Sequence, residues 1–266
     1  MERHSRPLKP LSWYKSLSFS KERRSEGFFI VEGRRAVDQL LVFHPDKVEE
    51  LLAVEGEALV DMTNDLPVRF ISRDKFKSIC SLKTPQGIAA VVKLPPDVFL
   101  SELPKAPGEK IVLLENIQDP GNVGSIIRTA AALGYNGCIL SSQCADPFSP
   151  KAVQSTAGAV LSSWIRRTDR YLGMISELKD SGYELVSADL DGEERVDFRG
   201  LRKHILALGN EGAGLTDELL GLSTRKFRIP IFEHAVESLN VAASGAICMF
   251  MCSQHIALEQ GAAPQE

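Results

Sequence analysis

From Lys110 onward, short apolar runs alternate with segments of helical periodicity, and this alternation limits the possible folds more than any other feature of the sequence. Short apolar runs are typical of strands that are buried on both faces of a parallel sheet. The pattern predicts a doubly wound sheet of five or six strands, with ligands bound beyond the carboxyl ends of the strands. The predicted strands are 111–115, 137–141, 163–167, 184–188, 204–209 and 226–231, and the predicted helices are 123–133, 151–159, 172–181, 215–222 and 239–259.

A smaller region of the same kind comes first in the chain. It predicts strands at 28–31, 48–54, 68–72 and 87–92 and helices at 34–43, 57–64 and 73–81. Residues 93–110 hold four prolines and one glycine, a composition typical of a semi-rigid linker. We place the domain boundary near residue 105. The fold class is therefore α/β, with a small α/β domain over 1–105 and a larger parallel-sheet α/β domain over 106–266.

The composition is that of an ordinary globular protein. Hydrophobic residues make up 44% of the chain and charged residues 25%. No apolar run approaches the ~18 residues of a membrane-spanning helix, so no membrane contact is expected. The cysteines are scattered, and none lies at the spacing of zinc ligands. We predict reduced thiols, no metal site and a cytoplasmic location. The cysteines are Cys80, Cys138, Cys144, Cys248 and Cys252.

The first 24 residues carry seven Lys or Arg and two Glu, which allows two interpretations. One is a transit peptide for organellar import. The other, which we favour, is a basic helix of the fold in which Trp13, Leu17 and Phe19 are packing residues. The net charge is +2 over residues 1–97 and −6 over residues 98–266, so RNA contact is expected in the first part. The candidate RNA-binding residues are Arg23, Arg24, Arg34 and Arg35, with a solvated basic face as the alternative.

The first unusual loop is ENIQDPGNVGSIIRTAAALG, residues 115–134. Asp119 can cap a helix and Pro120 fits its first turn. Asn122 and Arg128 lie a little under two turns apart, so they project from neighbouring parts of the same helix end. Arg128 stands among apolar residues and needs an anionic partner, either a phosphate or a carboxylate. The alternative is an ion pair between Arg128 and an acidic residue of another helix.

The second loop is LALGNEGAGL, residues 206–215, in which Gly209, Gly212 and Gly214 lie between a strand and a helix. The glycine spacing excludes the dinucleotide-binding pattern, and the missing Gly-Lys-Ser/Thr ending excludes a P-loop. Glu211 among glycines indicates a site where backbone amides face a ligand beside one carboxylate. A solvated turn is the alternative interpretation.

The third stretch, IPIFEHAVESLNVAASGAICMF, residues 229–250, passes from a strand through a polar loop into a helix. The small residues Ala242–Ala246 leave the helix start almost without side-chain bulk, which suits a ligand or a closely packed partner. Ser238 and Asn240 flank Leu239 at that start. An ordinary core helix is the alternative, and Ser238 could serve only as its N-cap.

Taken in this order, the three loops resemble the motifs of the SPOUT superfamily of RNA methyltransferases. Within it, DPGNVGSIIRTA, GNEGAGL and ESLNVAASG are similar to those of the TrmH (SpoU) branch of ribose 2′-O-methyltransferases, and the resemblance covers residues 111–256. The first domain, through FFIVEGRRAVDQLL and KTPQGIAAVV, resembles the substrate-binding domain that these enzymes often carry.

The resemblance implies a sheet closed by a deep trefoil knot, which is an exception to the rule against threaded chains. It implies S-adenosylmethionine as the cofactor, held by backbone groups at Gly209, Ile229 and Leu239, with Leu208 and Ile231 beside them. It also implies a homodimer in which Arg128 and Asn122 of one chain complete the site of the other. Glu211, Ser238 and Asn240 match the remaining polar site positions of the family.

The chain departs from the family pattern between Ile231 and Ser238. The family usually has a glycine shortly after the Ile-Pro pair, and its loop is commonly one residue shorter, whereas this chain has FEHAVE. The loop adds two carboxylates and His234, so the cofactor loop is expected to have a different shape.

The expected reaction is methylation of a ribose 2′-hydroxyl in structured RNA, with ribosomal RNA favoured over transfer RNA. A free guanidinium, with a pKa above ~12, is a poor general base. We therefore expect Arg128 to bind the adjacent phosphate and lower the pKa of the hydroxyl, with His234 as a rival base. Two other classes compete: an RNA-binding relative without catalysis, and a nucleotide-dependent oxidoreductase, whose glycine fingerprint is missing.

Overall fold

The computed structural model describes residues 9–57, 66–194, 196–198, 200–232, 234 and 237–260, with the backbone alone for 254–260. The chain divides into two compact units. The first runs to Pro96 and includes Phe148–Gly158, and the second comprises Asp97–Pro147 and the chain from Ala159 onward. The division falls within the proline-rich segment, before the boundary that we placed near residue 105.

The first unit is built on a four-stranded sheet of order β1-β4-β2-β3. Strands β2 and β3 are parallel, whereas β4 is antiparallel to both β1 and β2. Every strand predicted for this region is present, and the helix predicted at 57–64 falls almost wholly outside the described residues. The elements are α1 (Leu11–Ser16), α2 (Ser20–Glu26), β1 (Phe28–Glu32), α3 (Arg34–Phe43), β2 (Val48–Val54), β3 (Val68–Ile71), α4 (Arg73–Ile79) and β4 (Ile88–Lys93).

The basic N-terminal segment forms two short helices, and the turn between them depends on Arg23. The Arg23 guanidinium is buried and donates to the carbonyls of Leu17 and Ser18 at 2.9 and 2.7 Å. This placement suits a structural role and not the RNA contact predicted for Arg23. Leu17 is buried and the Trp13 ring lies edge-on to Phe28, as expected. Phe19, which we expected to pack, is 66% exposed, because the chain turns there between the two helices.

The first unit also contains a segment from the middle of the sequence, which the regular alternation of helix and strand had concealed. Helix α6 (Pro150–Thr156) contacts β1, and the ring of Phe148 meets that of Phe29 edge to face at 5.0 Å. A Cβ atom at Gly158 would lie 3.0 Å from the carbonyl oxygen of Ala36, so the backbones approach closely there. Phe148–Gly158 therefore helps to complete the core of the first unit.

The second unit contains a six-stranded, wholly parallel sheet of order β10-β8-β9-β5-β6-β7. This confirms the predicted α/β class, with a parallel-sheet domain preceded by a smaller α/β domain. The strand order reverses at β5 and β9, which makes the carboxyl ends of these central strands the expected ligand edge. The strands are β5 (Lys110–Leu114), β6 (Gly137–Ser141), β7 (Trp164–Thr168), β8 (Glu184–Glu193), β9 (His204–Leu208) and β10 (Arg225–Phe227).

The helices of the second unit are α5 (Pro120–Ala132), α7 (Tyr171–Asp180), α8 (Asp217–Leu222) and α9 (Val241–Gln260). As predicted, Asp119 caps α5: its carboxylate accepts from the amide of Asn122 at 3.0 Å. Helix α9 contacts α5 and β9, and a Cβ atom at Gly245 would lie 2.7 Å from the Leu208 Cδ1 atom. The last strand, β10, ends at Phe227 rather than at the predicted residue 231.

A buried histidine lies at the amino ends of the strands. The His204 Nε2 atom is 3.0 Å from the Tyr135 hydroxyl, and the side chain is fully buried. Burial, followed by the nearby Lys110 ammonium, lowers the pKa of His204 from 6.5 to about 4. The folded state therefore holds a neutral imidazole over a pH range in which the unfolded chain takes up a proton.

The consequence is acid sensitivity. Because the folded pKa of His204 is depressed, the unfolding free energy should fall as the pH drops from about 6.5 to about 4, by on the order of 3 kcal/mol from this group. Urea unfolding at pH 7 and at pH 4 should show a smaller loss in His204→Gln than in the wild type. Equal losses in the two proteins would contradict the assignment.

Candidate active site

The loop after β9, here called the GNEG loop (residues 209–215), is a tight turn closed by its own backbone. The amide of Asn210 donates to the Gly214 carbonyl at 3.0 Å, and the Asn210 side-chain oxygen accepts from the Gly212 and Ala213 amides at 2.9 and 3.0 Å. A Cβ atom at Gly209 would lie 2.3 Å from the Gly214 carbonyl carbon. Glycine is therefore required at Gly209 by close backbone approach.

A cavity of about 380 Å³ opens between the GNEG loop and the chain that follows β10. Its volume lies in the range of small-molecule sites. The five predicted cofactor-binding residues all lie on its wall: Leu208, Gly209, Ile229, Ile231 and Leu239. Two of the predicted polar site residues, Glu211 and Ser238, also line it.

Three side chains from three separate loops form a hydrogen-bonded relay. The Asn240 side-chain amide donates to the Asn122 Oδ1 atom at 3.1 Å, and the Asn122 amide donates to the Glu211 carboxylate at 2.5 Å. Asn122 comes from the start of α5, Glu211 from the GNEG loop and Asn240 from the start of α9. The structure thus brings together residues that are widely separated in sequence.

Asn240, and not Ser238, caps helix α9. Its side-chain oxygen accepts from the amides of Ala242 and Ala243 at 2.9 and 3.4 Å, while its own amide group points to Asn122. The alternative that Ser238 serves only as the N-cap is therefore wrong. Ser238 is exposed and lines the cavity instead.

Arg128 lies on α5, two turns beyond its start, and is exposed. Among the residues that the structure describes, no acidic side chain forms an ion pair with it, in contrast to the alternative of a pairing with another helix. Of the other arginines that we assigned to RNA binding, Arg34 is half-buried and pairs with Glu57 at 2.7 Å, whereas Arg24 and Arg35 are exposed.

Two residues that line the cavity, Asp189 and Asp191, were not predicted from the sequence. They lie near the end of β8, which continues to Glu193, beyond the predicted end at residue 188. Alternating apolar and acidic residues over 188–191 are the signal that could have extended the strand. The position of β8 beside β9 depends on the strand order, which the pattern did not specify.

The thiols are unsuited to chemistry in this structure. Burial raises the pKa of Cys138, Cys248 and Cys252 to about 12, so these groups stay protonated at neutral pH. Within the described part of the chain, no three His, Cys, Asp or Glu side chains are grouped to hold a metal ion. The same part of the chain contains no helix with the length and apolarity to cross a bilayer.

Comparison with known proteins decides the family. Residues 109–250, more than half of the chain, match the sequence model of the SpoU rRNA methylase family. The chain belongs to the SpoU rRNA methylase family. Residues 30–98 match a second model, described as RNA 2′-O ribose methyltransferase substrate binding. The resemblance seen in the motifs is thereby confirmed, and this SpoU methylase is an RNA ribose 2′-O-methyltransferase.

Relatives of this SpoU methylase include two 23S rRNA methyltransferases. The guanosine(2553)-2′-O-methyltransferase RlmP of Bacillus subtilis is 32% identical over 240 residues, which cover 89% of this chain and 93% of RlmP. The uridine(2479)-2′-O-methyltransferase of Streptomyces viridochromogenes is 30% identical, with 92% and 89% coverage.

Solved structures agree with this assignment. The AdoMet complex of the SpoU methyltransferase AviRb from Streptomyces viridochromogenes superposes with a TM-score of 0.79 at 26% identity, covering 96% of this chain and 99% of AviRb. An AdoMet-bound rRNA methyltransferase from Sinorhizobium meliloti gives a TM-score of 0.76 at 28% identity, with 96% and 97% coverage.

The double duty of Asn240 can be separated by mutation. Asn240→Asp keeps an oxygen to cap α9 but sets a carboxylate against the Asn122 Oδ1 atom, so the relay loses a donor. We expect methyl transfer to fall about tenfold or more, with a melting temperature close to that of the wild type. Asn240→Ala should lose both properties. Unchanged activity in Asn240→Asp would show that the relay is dispensable.

Proposed function

We propose that this chain transfers a methyl group from S-adenosylmethionine to a ribose 2′-hydroxyl of ribosomal RNA. The observation that carries the proposal is the meeting of three separated loops, through Asn240, Asn122 and Glu211, beside one cavity of about 380 Å³. Bound S-adenosylmethionine would supply a methyl group that is activated by its sulfonium charge. The cavity offers backbone groups and apolar side chains on its wall, together with the carboxylates of Asp189 and Asp191, which suits a ligand with cationic groups.

Within this proposal Arg128 binds the phosphate next to the target ribose. Its positive charge stabilises the oxygen anion that develops as the 2′-hydroxyl loses its proton to phosphate or water. The Asn240–Asn122–Glu211 relay holds the starts of α5 and α9 to the GNEG loop. His234, which is exposed, remains the rival base, and His234→Ala should keep wild-type activity if Arg128 acts electrostatically.

We further propose a homodimer in which Arg128 serves the site of the partner. Support comes from Arg128, which lacks an ion-pair partner among the described residues, and from α9, whose outer face exposes Ile247 and Phe250 by 38% and 54%. A closed twofold interface would cover such a face.

Mixed dimers test the shared site. Arg128→Ala and Gly209→Ala proteins, each strongly impaired when S-adenosylmethionine is held near its wild-type dissociation constant, are unfolded and refolded together. If Arg128 acts across the interface, mixed dimers contain one intact site and the mixture recovers about a quarter of wild-type activity. No recovery, with dimers confirmed by light scattering, would place Arg128 in the site of its own chain.

The trefoil knot stays part of the proposal. Its support is the path of the chain: β10 lies at one edge of the sheet, yet the next helix, α9, contacts β9 and α5 in the middle. Stretching the unfolded chain by its ends would tighten a knot, so the measured contour length would fall short of the full value. A full contour length would exclude the knot.

The substrate is tested by mapping 2′-O-methyl groups in total RNA from cells with and without this gene. Loss of one ribosomal site, restored by the purified enzyme, would support the proposal. Loss of a site in transfer RNA favours the second candidate, a transfer-RNA ribose methyltransferase. A titration with S-adenosylmethionine distinguishes both methyltransferases from an RNA-binding relative without catalysis, which would not bind the cofactor.

A further inference from the structure

A fully buried carboxylate, which the proposed chemistry does not use, lies immediately after β5. Glu115 has no exposed surface, and three donors reach its two oxygens. The Thr216 amide donates at 2.7 Å, the Thr216 hydroxyl at 2.9 Å and the Tyr171 hydroxyl at 2.5 Å. Burying a carboxylate is costly unless its oxygens are satisfied, so a site of this kind indicates a specific task.

The residues that donate to Glu115 show which segment its carboxylate holds in place. Thr216 follows the GNEG loop directly and caps α8, because its hydroxyl oxygen accepts from the Leu219 amide at 3.4 Å. Burial, and next the hydrogen bond to Glu115, raise the pKa of Tyr171, so its hydroxyl remains a donor throughout the physiological range. Glu115 therefore fastens the far end of the loop to the end of β5.

The near end of the loop is fastened by the same strand. The Glu115 amide donates to the Leu208 carbonyl at 2.9 Å. The neighbouring carbonyl of Asn116 accepts from the Asn210 side-chain amide at 2.9 Å, with Asn116 in the left-handed region at φ 58°. Both ends of the loop that lines the cavity thus depend on two consecutive residues of one rigid strand end.

We propose that Glu115 is a positioning residue, which holds the GNEG loop in the conformation that binds the cofactor and presents Glu211 to Asn122. It acts through Thr216 and touches neither the cavity nor the relay. The inference rests on the proposed function for its link to S-adenosylmethionine. Its structural part, the fixed loop, can be tested without any cofactor.

The variants distinguish hydrogen-bond acceptance from simple packing. Glu115→Met has a similar length but accepts no hydrogen bond, so the Thr216 amide, the Thr216 hydroxyl and the Tyr171 hydroxyl all lose their acceptor. Glu115→Gln keeps one acceptor for that amide, and the two hydroxyls can turn to accept from its amide group. Tyr135→Phe is the matched control, because it removes a buried hydroxyl that contacts His204 at the opposite end of the sheet.

We expect Glu115→Met to raise the dissociation constant of S-adenosylmethionine about tenfold or more, with Glu115→Gln within threefold of the wild type. The KM for the cofactor should rise while kcat changes less. Tyr135→Phe should lower the melting temperature and leave cofactor affinity unchanged. Equal affinity in folded Glu115→Met and wild type would overturn the inference.

Hydrogen exchange supplies the measurement that does not need the cofactor. In the free proteins, amides 209–216 should exchange faster in Glu115→Met than in Glu115→Gln, with peptides from β6 unchanged. Thr216→Val, which keeps the backbone amide, serves if Glu115→Met does not fold, and should accelerate exchange in the same segment. Unaltered exchange in 209–216 would overturn the inference. A wild type that fails to bind S-adenosylmethionine would refute the proposed function. The exchange rates of residues 209–216 would still test the role of Glu115, because they are measured without the cofactor.

Discussion

Arg128→Ala is expected to lower kcat for ribose methylation by about 10²- to 10³-fold, the usual cost of removing a charge that stabilises a developing oxyanion. Arg128 is exposed on α5, and among the described residues no acidic group neutralises it, so its charge is available to a phosphate. Arg128→Lys keeps a positive charge but loses the planar donor fork, and should retain measurable activity.

Single-turnover rates with saturating cofactor and RNA would measure this effect. Arg202→Ala is the control, because Arg202 is also exposed but precedes β9 at the opposite end of the sheet. Complete loss of activity in Arg128→Lys, with cofactor and RNA binding intact, would favour a proton-transfer role for the arginine over the electrostatic one.

Gly209→Ala should weaken cofactor binding by roughly 100-fold. The new methyl group would lie 2.3 and 2.4 Å from the carbonyl carbon and oxygen of Gly214 and 2.6 Å from the Leu215 nitrogen. All three are backbone atoms, so the overlap can be relieved only by moving the loop that lines the cavity. Overpacking of this kind costs about 1–3 kcal/mol, and each 1.4 kcal/mol is a factor of ten in affinity.

Gly212→Ala is the matched variant in the same loop. Its methyl group would meet only the Asn210 side-chain oxygen, at an ordinary 3.7 Å. Isothermal titration with S-adenosylmethionine should show a change of at most about fivefold for Gly212→Ala, far smaller than for Gly209→Ala. Similar affinities in the two variants would mean that the loop adjusts freely and that the close approach is unimportant.

Much of the architecture could be predicted because it follows from local pattern. Buried parallel strands produce apolar runs, and the cap of α5 was readable from Asp119 and Pro120. Which residues lie next to one another in space was harder to predict from the sequence. Asp189 and Asp191 reach the cavity only because β8 lies beside β9, and the capping role of Asn240 depends on where Asn122 lies in space.

Two other failures have the same origin. Arginine in a basic segment predicts a solvated or RNA-binding side chain, yet Arg23 closes a turn by donating to two carbonyls. Glu115 is the last residue of an apolar run in the sequence, and nothing there predicts that its buried carboxylate binds Thr216 and Tyr171. Long-range hydrogen bonds of this kind leave no periodicity in the sequence.

The membership of Phe148–Gly158 in the first unit has a consequence for biosynthesis. Phe29 and Ala36, which contact this segment, emerge from the ribosome early. The segment itself is translated only after two strands of the other sheet, β5 and β6. The amino-terminal unit therefore cannot finish folding as it is made, in contrast to the usual vectorial order. A nascent chain arrested before Phe148 should be more sensitive to protease in residues 28–43 than one arrested well beyond Gly158.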